Sequence, residues 1–379
     1  MSRENQKSDK KIKCLIVNKS NTSKTGGVAH VIFNLYRTID KSNIDFDLLA
    51  TKAVVDEKYR KEIEEHGGNL FVMTCSFKNA FKYVLDLKKR IVANAYDIVH
   101  IHGNSHTTVL ELLAAKLAGC KVRVVHAHNT KCSDLKLHKA FTGLFNALCN
   151  VRLACGEEAG KFMHGNNKFT VINNGIELEK FKYNANSKEE LKAKYNLLDK
   201  VVIGHIGSFN DAKNQDFLLE VIKEILKTNP NYALVFVGDG ERKEIITQKA
   251  KEMGIEDSIT FVGKTENVAE HLSLFDIFTL PSFFEGLPLV LVEAQASGLY
   301  CVVSDCVTVE ADKTGNMTFL PINNGGKIWA EEILRRTGAQ GREETSADSI
   351  ESLKGKGYSA KDEAKKLLEI YKTAVQESK

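Results

Sequence analysis

The sequence predicts an α/β protein built on two doubly wound parallel sheets, and three observations carry that prediction. Short runs that are apolar throughout recur along the 379 residues, helical patterns alternate with them, and the series restarts after a polar stretch near the middle. Strands buried on both faces of a parallel sheet read as unbroken apolar runs, and a helix is their usual crossover.

The first series is IKCLIVN, FDLLAT, NLFVMT, DIVHIHG, VRVVHAH, VRLACG and FTVINNG. FKYNANSKEELKAKYNLLDK, Phe181 to Lys200, is polar and helix-forming, which places a junction at residue 182 and predicts domains over 1–182 and 183–355. The second series is VVIGHIGS, YALVFVGDG, SITFVGK, DIFTLPS, YCVVSD and MTFLP. Beyond Pro321 the pattern weakens to a helix, a charged Gly-containing loop and a second helix. The terminal segment 356–379 carries Ala364, Leu367, Leu368, Tyr371 and Val375, a helical stripe that must pack on something.

Composition narrows the function classes. With 43% hydrophobic and 27% charged residues the chain can bury two cores. The polar opening MSRENQKSDKK lacks a secretory pattern, and no run reaches the roughly 18 apolar residues of a membrane span, so a cytoplasmic location is expected. Eight cysteines without a C-x-x-C pair read as reduced core thiols. Residues 1–184 hold 29 basic against 18 acidic side chains, a net +11, and the remainder 24 against 31, a net −7. A basic first half suits an anionic membrane surface or a phosphorylated substrate. The basic residues are scattered rather than clustered with aromatics, which argues against nucleic acid. Phe77 to Val92 has an apolar stripe beside Lys82, Lys88, Lys89 and Arg90 and reads either as a helix on acidic lipid or as a helix packed on its own sheet.

In open α/β sheets ligands bind beyond the carboxyl ends of the strands. FFEGLPLVLVEAQASG, Phe283 to Gly298, follows a strand, and Pro288 is placed to open a helix that Gly298 closes. Glu285 and Gly286 then sit where free amides and the positive end of a helix dipole create an anion site. Glu293 lies on a helix apolar nearly all round, where a carboxylate is costly without hydrogen bonds. A ligand's hydroxyls, a neighbouring backbone or a core cation would each supply partners. Lys213, in the loop of GHIGSFNDAKNQDF, can neutralise a diphosphate. Gly26 and Gly27 in TGGVAH allow close approach of a phosphate or acceptor. His126 and His128 end one strand, His100 and His102 another, with His102 and His128 nearer the strand ends. No cysteine or carboxylate pattern completes a zinc set, so no metal is expected.

The Glu285-to-Glu293 spacing, GLP after the first glutamate, and the following helix and strand ending in SD resemble the donor motif of retaining glycosyltransferases of family 4. The resemblance covers most of the chain and extends to the K-N pair Lys213–Asn214, to VINNGIELEKF and to the C-terminal GYSAKDEAKKLLEIYKTA. It implies the GT-B fold, two Rossmann-like domains facing across a cleft, with the last helix returning to the first. It also implies a nucleotide-sugar donor, a UDP-sugar, as substrate with no cofactor, and a glycan or lipid-linked acceptor in surface polysaccharide assembly. Glu293 would hold the ribose, and Glu285 would lie near the donor sugar. Gly286, Leu287, Pro288, Ser208, Gly26, Gly27 and Val262 would line the donor. Lys213 would stabilise the leaving diphosphate, His128 would stand near the sugar, and His102 would face the acceptor. One departure is plain: the family's Arg after the glycine is Ser208 here, with Arg242 as a candidate replacement. Two other readings stay open at this point, a sugar-nucleotide epimerase and a non-catalytic nucleotide-sugar-binding subunit.

Overall fold

A computed structural model describes residues 11–19, 27–52, 55–74, 79–338 and 341–378. The chain forms two units, one running to Gly175 and resuming at Ala360, the other spanning Ile176–Ser359.

The first unit contains β1 (Ile12–Asn18), β2 (Ile44–Ala50), β3 (Leu70–Val72), β4 (Ile98–His102), β5 (Val122–Ala127), β6 (Val151–Ala154) and β7 (Thr170–Val171). All pair in parallel, in the order β3-β2-β1-β4-β5-β6-β7. β4 and β5 are buried along their whole length, which is why they read as apolar runs interrupted only by histidines and by Arg123, whose guanidinium is tied to the Leu148 and Cys120 carbonyls. One face of the sheet packs Leu15, Val17, Val99, Ile101 and Val125 against Leu87, Ile91, Leu112 and Phe145. The terminal helix Ala360–Glu377 belongs to this unit and buries Ala364, Leu367, Leu368 and Tyr371. Its first residue is tied to the helix Gly27–Thr38, since Thr38 Oγ1 donates to the Ala360 carbonyl at 3.1 Å.

The second unit holds β8 (Val201–Ile206), β9 (Tyr232–Val237), β10 (Ile259–Gly263), β11 (Ile277–Leu280), β12 (Cys301–Ser304) and β13 (Met317–Leu320). These are again parallel, ordered β10-β9-β8-β11-β12-β13. Strand order reverses between β8 and β11, the position at which doubly wound sheets open a crevice for ligands. The helix Leu289–Ala296 between β11 and β12 ends on Gly298 at φ +68°, where a Cβ would come within 2.7 Å of the Ser346 backbone nitrogen. Only glycine fits there.

The boundary expected at residue 182 lies instead between Gly175 and Ile176, and the return expected at 356 begins at Ala360. Ile176, Leu178 and Phe181 sit in the second unit's core, and Ile176 N–H bonds the Tyr358 carbonyl at 2.9 Å. A polar stretch marked the junction in the sequence, but buried side chains set it. Among the described residues no helix is long and apolar enough to cross a membrane.

Candidate functional site

At the second unit's switch point the loop after β8 meets the loop after β11. Phe283 N–H donates to the Ala212 carbonyl at 2.9 Å, and Asn214 Nδ2 donates to the Pro281 carbonyl at 3.2 Å. Lys213 Nζ is paired with Glu285 Oε1, which also accepts from Ser282 Oγ at 2.8 Å. The side chains of Lys213 and Glu285 are 19% and 15% exposed, so the pair is largely but not wholly screened from solvent.

Local chemistry aims the lysine. Asn210 Oδ1 accepts from the Lys213 amide at 3.2 Å, folding Asp211–Lys213 into a single 3-10 turn. Asn214 then adopts φ +53°, a left-handed conformation that asparagine tolerates, before the helix Gln215–Leu226 begins. Beneath the loop, buried Gln215 donates to the Ser208 carbonyl at 2.9 Å and lies 3.3 Å from His205 Nε2. His205 Nδ1 faces the Thr279 carbonyl at 3.0 Å and so carries its proton there. Burial pushes His205 down to about 3 against that hydrogen bond, so it supports the loop as a neutral group.

Arg242 does not replace the cation that Ser208 lacks. Its Nη1 bonds Asp211 at 2.7 Å and its Nη2 bonds Asp216 at 2.6 Å, so two carboxylates already neutralise it. The sequence places Arg242 near the loop but says nothing of those partners.

Pro288 (φ −73°, ψ 119°) caps the helix Leu289–Ala296 instead of forming its first residue, a difference of one position. Leu287 packs against the core, while Gly286 is exposed, and a Cβ at Gly286 would meet nothing within 4 Å. Glycine is therefore not needed there for folding. Gly286→Ala is expected to leave the melting temperature unchanged and to weaken donor binding about tenfold, checked by calorimetry; equal affinity would remove the donor from this turn.

Glu293 lies about one turn into that helix, half-buried, eight residues after Glu285. Burial pushes its carboxyl up to about 7, with Lys180 opposing. Among the described residues its side chain accepts no hydrogen bond and has no cation in ion-pair contact. Neither a backbone cap nor a core ion pair accounts for it. Val262 is on β10, packed against the core beside Gly263.

In the first unit Gly27 opens the helix Gly27–Thr38 with no atom near a would-be Cβ, and Gly26 lies outside the described residues. His102 Nδ1 and His128 Nε2 are 2.8 Å apart, and the His128 backbone N–H donates to Asn104 Oδ1 at 2.9 Å. Burial pushes His128 down to about 4, opposed by the nearby Asn174 side-chain oxygen, and takes His102 well below its usual value. Both imidazoles are neutral at physiological pH. The sequence placed His102 and His128 nearer the strand ends than His100 and His126, and the structure brings all four rings into one buried cluster, stacked or tilted against one another. It also missed Ser282, Asn210, Gln215 and Asn174, polar residues that become legible only through their partners.

The described geometry has known counterparts. Residues 25–180 match a sequence model described as Glycosyltransferase Family 4, and residues 200–336 one described as Glycosyl transferases group 1. The chain is 35% identical over 362 residues to the glycosyltransferase EpsF of Bacillus subtilis, covering 91% of this chain and 93% of that one. It is 31% identical over 299 residues to the UDP-Gal:alpha-D-GlcNAc-diphosphoundecaprenol alpha-1,3-galactosyltransferase of Escherichia coli, covering 74% and 76%. Among solved structures, Anabaena HepE in complex with UDP superposes with a TM-score of 0.78 at 16% identity, over 96% of this chain and 100% of HepE. WaaG, a glycosyltransferase involved in lipopolysaccharide biosynthesis, gives 0.65 at 14%, over 92% and 98%. The two structures share the GT-B fold with this chain, and the sequence relatives settle the family. The chain is a glycosyltransferase of family 4, akin to those of bacterial polysaccharide synthesis.

Proposed function

We propose that the second unit binds a UDP-sugar at the Lys213–Glu285 crossing and that the enzyme transfers the sugar, with retention, to a glycan or lipid-linked acceptor. The observation that carries this is Glu293, a half-buried carboxyl with no hydrogen bond or ion pair among the described residues, on the helix that directly follows the Lys213–Glu285 turn. Ribose hydroxyls would satisfy Glu293, and the diphosphate would lie against Lys213 and the turn before Leu289. The reading draws support from the donor and acceptor for which the Escherichia coli relative is named and from HepE solved with UDP-glucose.

Breaking the anomeric C–O bond leaves positive charge on the sugar and negative charge on the diphosphate, and groups fixed in place before that charge develops lower the barrier. Lys213 supplies a cation to the departing oxygen, so no cofactor is invoked. The acceptor oxygen bonds the anomeric carbon on the face the diphosphate leaves, and its proton passes to the leaving phosphate. Glu285 orients the sugar and keeps Lys213 in position until donor arrives. We assign His128 to the reacting sugar and His102, its hydrogen-bond partner, to the acceptor side as the residue that positions it, both as neutral imidazoles.

The test is a thermal-shift panel of nucleotide-sugars. A UDP-sugar is expected to raise the melting temperature of the wild-type chain but not of Glu293→Ala, because stabilisation follows ligand concentration over Kd. A panel in which no nucleotide-sugar shifts the wild type would overturn the reading.

We further propose that the first unit touches an anionic membrane surface through the helix Ala80–Asn94. Its inner side buries Tyr83, Val84, Leu87 and Ile91, while Phe81, Leu85 and Val92 are 80%, 37% and 56% exposed beside the exposed Lys82 and Lys89. Apolar side chains flanked by lysines suit a headgroup layer. Co-sedimentation with acidic vesicles at low salt should fall about tenfold in the double variant Phe81→Ser/Lys89→Glu, and retention unchanged by it would refute this contact.

A further inference from the structure

Three imidazoles stand together on one face of the first unit's sheet. His100 and His102 are two apart on β4, and His126 on β5 lies directly across the ladder from His102. The two-residue period of a strand turns all three away from Val99, Ile101 and Val125, which face the apolar core. Ring centroids are 4.2 Å apart for His100 and His102, 5.2 Å for His102 and His126, and 5.5 Å for His100 and His126. One ring nitrogen from each lies within 4.8 Å of the others, and none of the residues exceeds 1% exposure.

Their polar atoms are poorly served by the protein itself. A neutral imidazole has one N–H and one lone pair to satisfy. Burial, then the neighbouring histidines, takes all three well below the usual histidine range, so the rings are uncharged. His100 Nδ1 meets the Tyr371 hydroxyl at 2.5 Å, but His100 Nε2 has no hydrogen-bond partner. Neither nitrogen of His126 has one, although the Ile172 backbone lies near enough to favour a proton on that ring. Buried polar atoms are normally paired, and several orphans at one spot point to a missing shared partner. Valine or isoleucine would fill a central strand without that cost.

We propose that His100, His102 and His126 bind one divalent transition-metal ion, zinc being the first candidate, at the heart of the β4–β5 pair. Histidine nitrogen is a ligand of choice for zinc and its neighbours in the series. A metal-bound imidazole usually fixes its tautomer by donating its other N–H. His100 has Tyr371 on Nδ1 and His102 has His128 on Nδ1, which leaves Nε2 of each for the ion. Zinc–nitrogen bonds of about 2.0–2.1 Å require the three nitrogens to close to roughly 3.4 Å, a turn of the rings by about an ångström. The three ligands leave a fourth position for water. The expectation of no metal from the sequence rested on absent cysteine and carboxylate patterns, and a three-histidine set does not need them.

Metal on His102 Nε2 would hold its proton on Nδ1, so His128 accepts at Nε2 and carries its own proton on Nδ1. That consequence rests on the His128 assignment made above, whereas metal binding is independent of it and is measured without donor or acceptor.

The experiment uses the untagged full chain. Protein from zinc-supplemented cells is expected to hold about one zinc per chain by plasma mass spectrometry, and protein refolded with cobalt(II) to show the intense visible bands of a tetrahedral site. His100→Gln and His126→Gln should each lower the metal content at least about tenfold with unchanged far-UV circular dichroism, while His66→Gln retains it. Should the variants misfold, X-ray absorption of the wild-type zinc protein decides, three imidazoles in the first shell being the expected result. Wild-type protein without zinc or cobalt uptake, metal retained by both variants, or sulfur ligands in the first shell would each overturn the site.

Discussion

Affinity for a UDP-sugar is expected to fall about tenfold between pH 8 and pH 6, and Glu293→Gln is expected to abolish that dependence while weakening binding at pH 8. Hydroxyl donors favour an ionised acceptor, and the empty site holds the Glu293 carboxyl up to about 7, so below that pH binding must first expel a proton. Above pH 7 the group is already ionised and affinity levels off. A UDP-sugar is the right ligand because its diphosphate, esterified at both ends, does not titrate in this range. His205, the buried imidazole behind the same loops, is held down to about 3 and contributes nothing to the window. Calorimetry at three pH values checks the slope, and a slope shared by wild type and Glu293→Gln would assign it elsewhere.

The same residue makes a stability prediction of opposite sign. Its folded pKa lies above the unfolded value, so the folded chain binds the extra proton between about 4.5 and 7. Stability is then lost as pH rises through that interval, and the loss is complete above it. Glu293→Gln should therefore melt at or above the wild-type temperature at pH 8 without ligand. A variant that is firmer when empty and weaker at binding marks a carboxylate kept for a ligand, since a structural carboxylate would lose on both counts.

Lys213→Ala is expected to lower kcat/KM by about two to three orders of magnitude, mainly through kcat, as removal of one fixed charge at a developing anion typically does. Lys213→Arg should recover part of it, because charge is retained while the fork geometry differs from an ammonium. The alanine variant also strands Glu285, whose side chain is 15% exposed and whose remaining partner is Ser282. The double variant Lys213→Ala/Glu285→Gln separates the effects: if it restores melting temperature but not turnover, the lysine acts on the reaction and not on the fold. Turnover within threefold of wild type in Lys213→Ala would show that the diphosphate lies elsewhere.

Much of the site was legible because both loops follow strands that read as apolar runs broken only by Gly204, His205 and Thr279. β8 and β11 announce themselves as runs, and the residues after them, Lys213 and Glu285 included, are then marked by position alone. Glu293 was legible for the reverse reason, as the one charge on a helix otherwise apolar. Arg242 stayed only a candidate in the sequence because its charge is visible there and its two carboxylate partners, 26 and 31 residues away, are not. The division at residue 182 was misplaced because polarity was read where burial of Ile176, Leu178 and Phe181 governs.

The order of elements, the two parallel sheets and the loops that carry chemistry were determined by sequence alone, since hydrophobic period and strand ends are properties of neighbouring residues. The pairing of Lys213 with Glu285 across 72 positions was decided by tertiary structure, as were the seating of Tyr371 against His100 across 271 and the gathering of three histidines. Each needs segments far apart in the chain to converge, and strand register, which turns a spacing of two into one shared face, exists only once the sheet has formed.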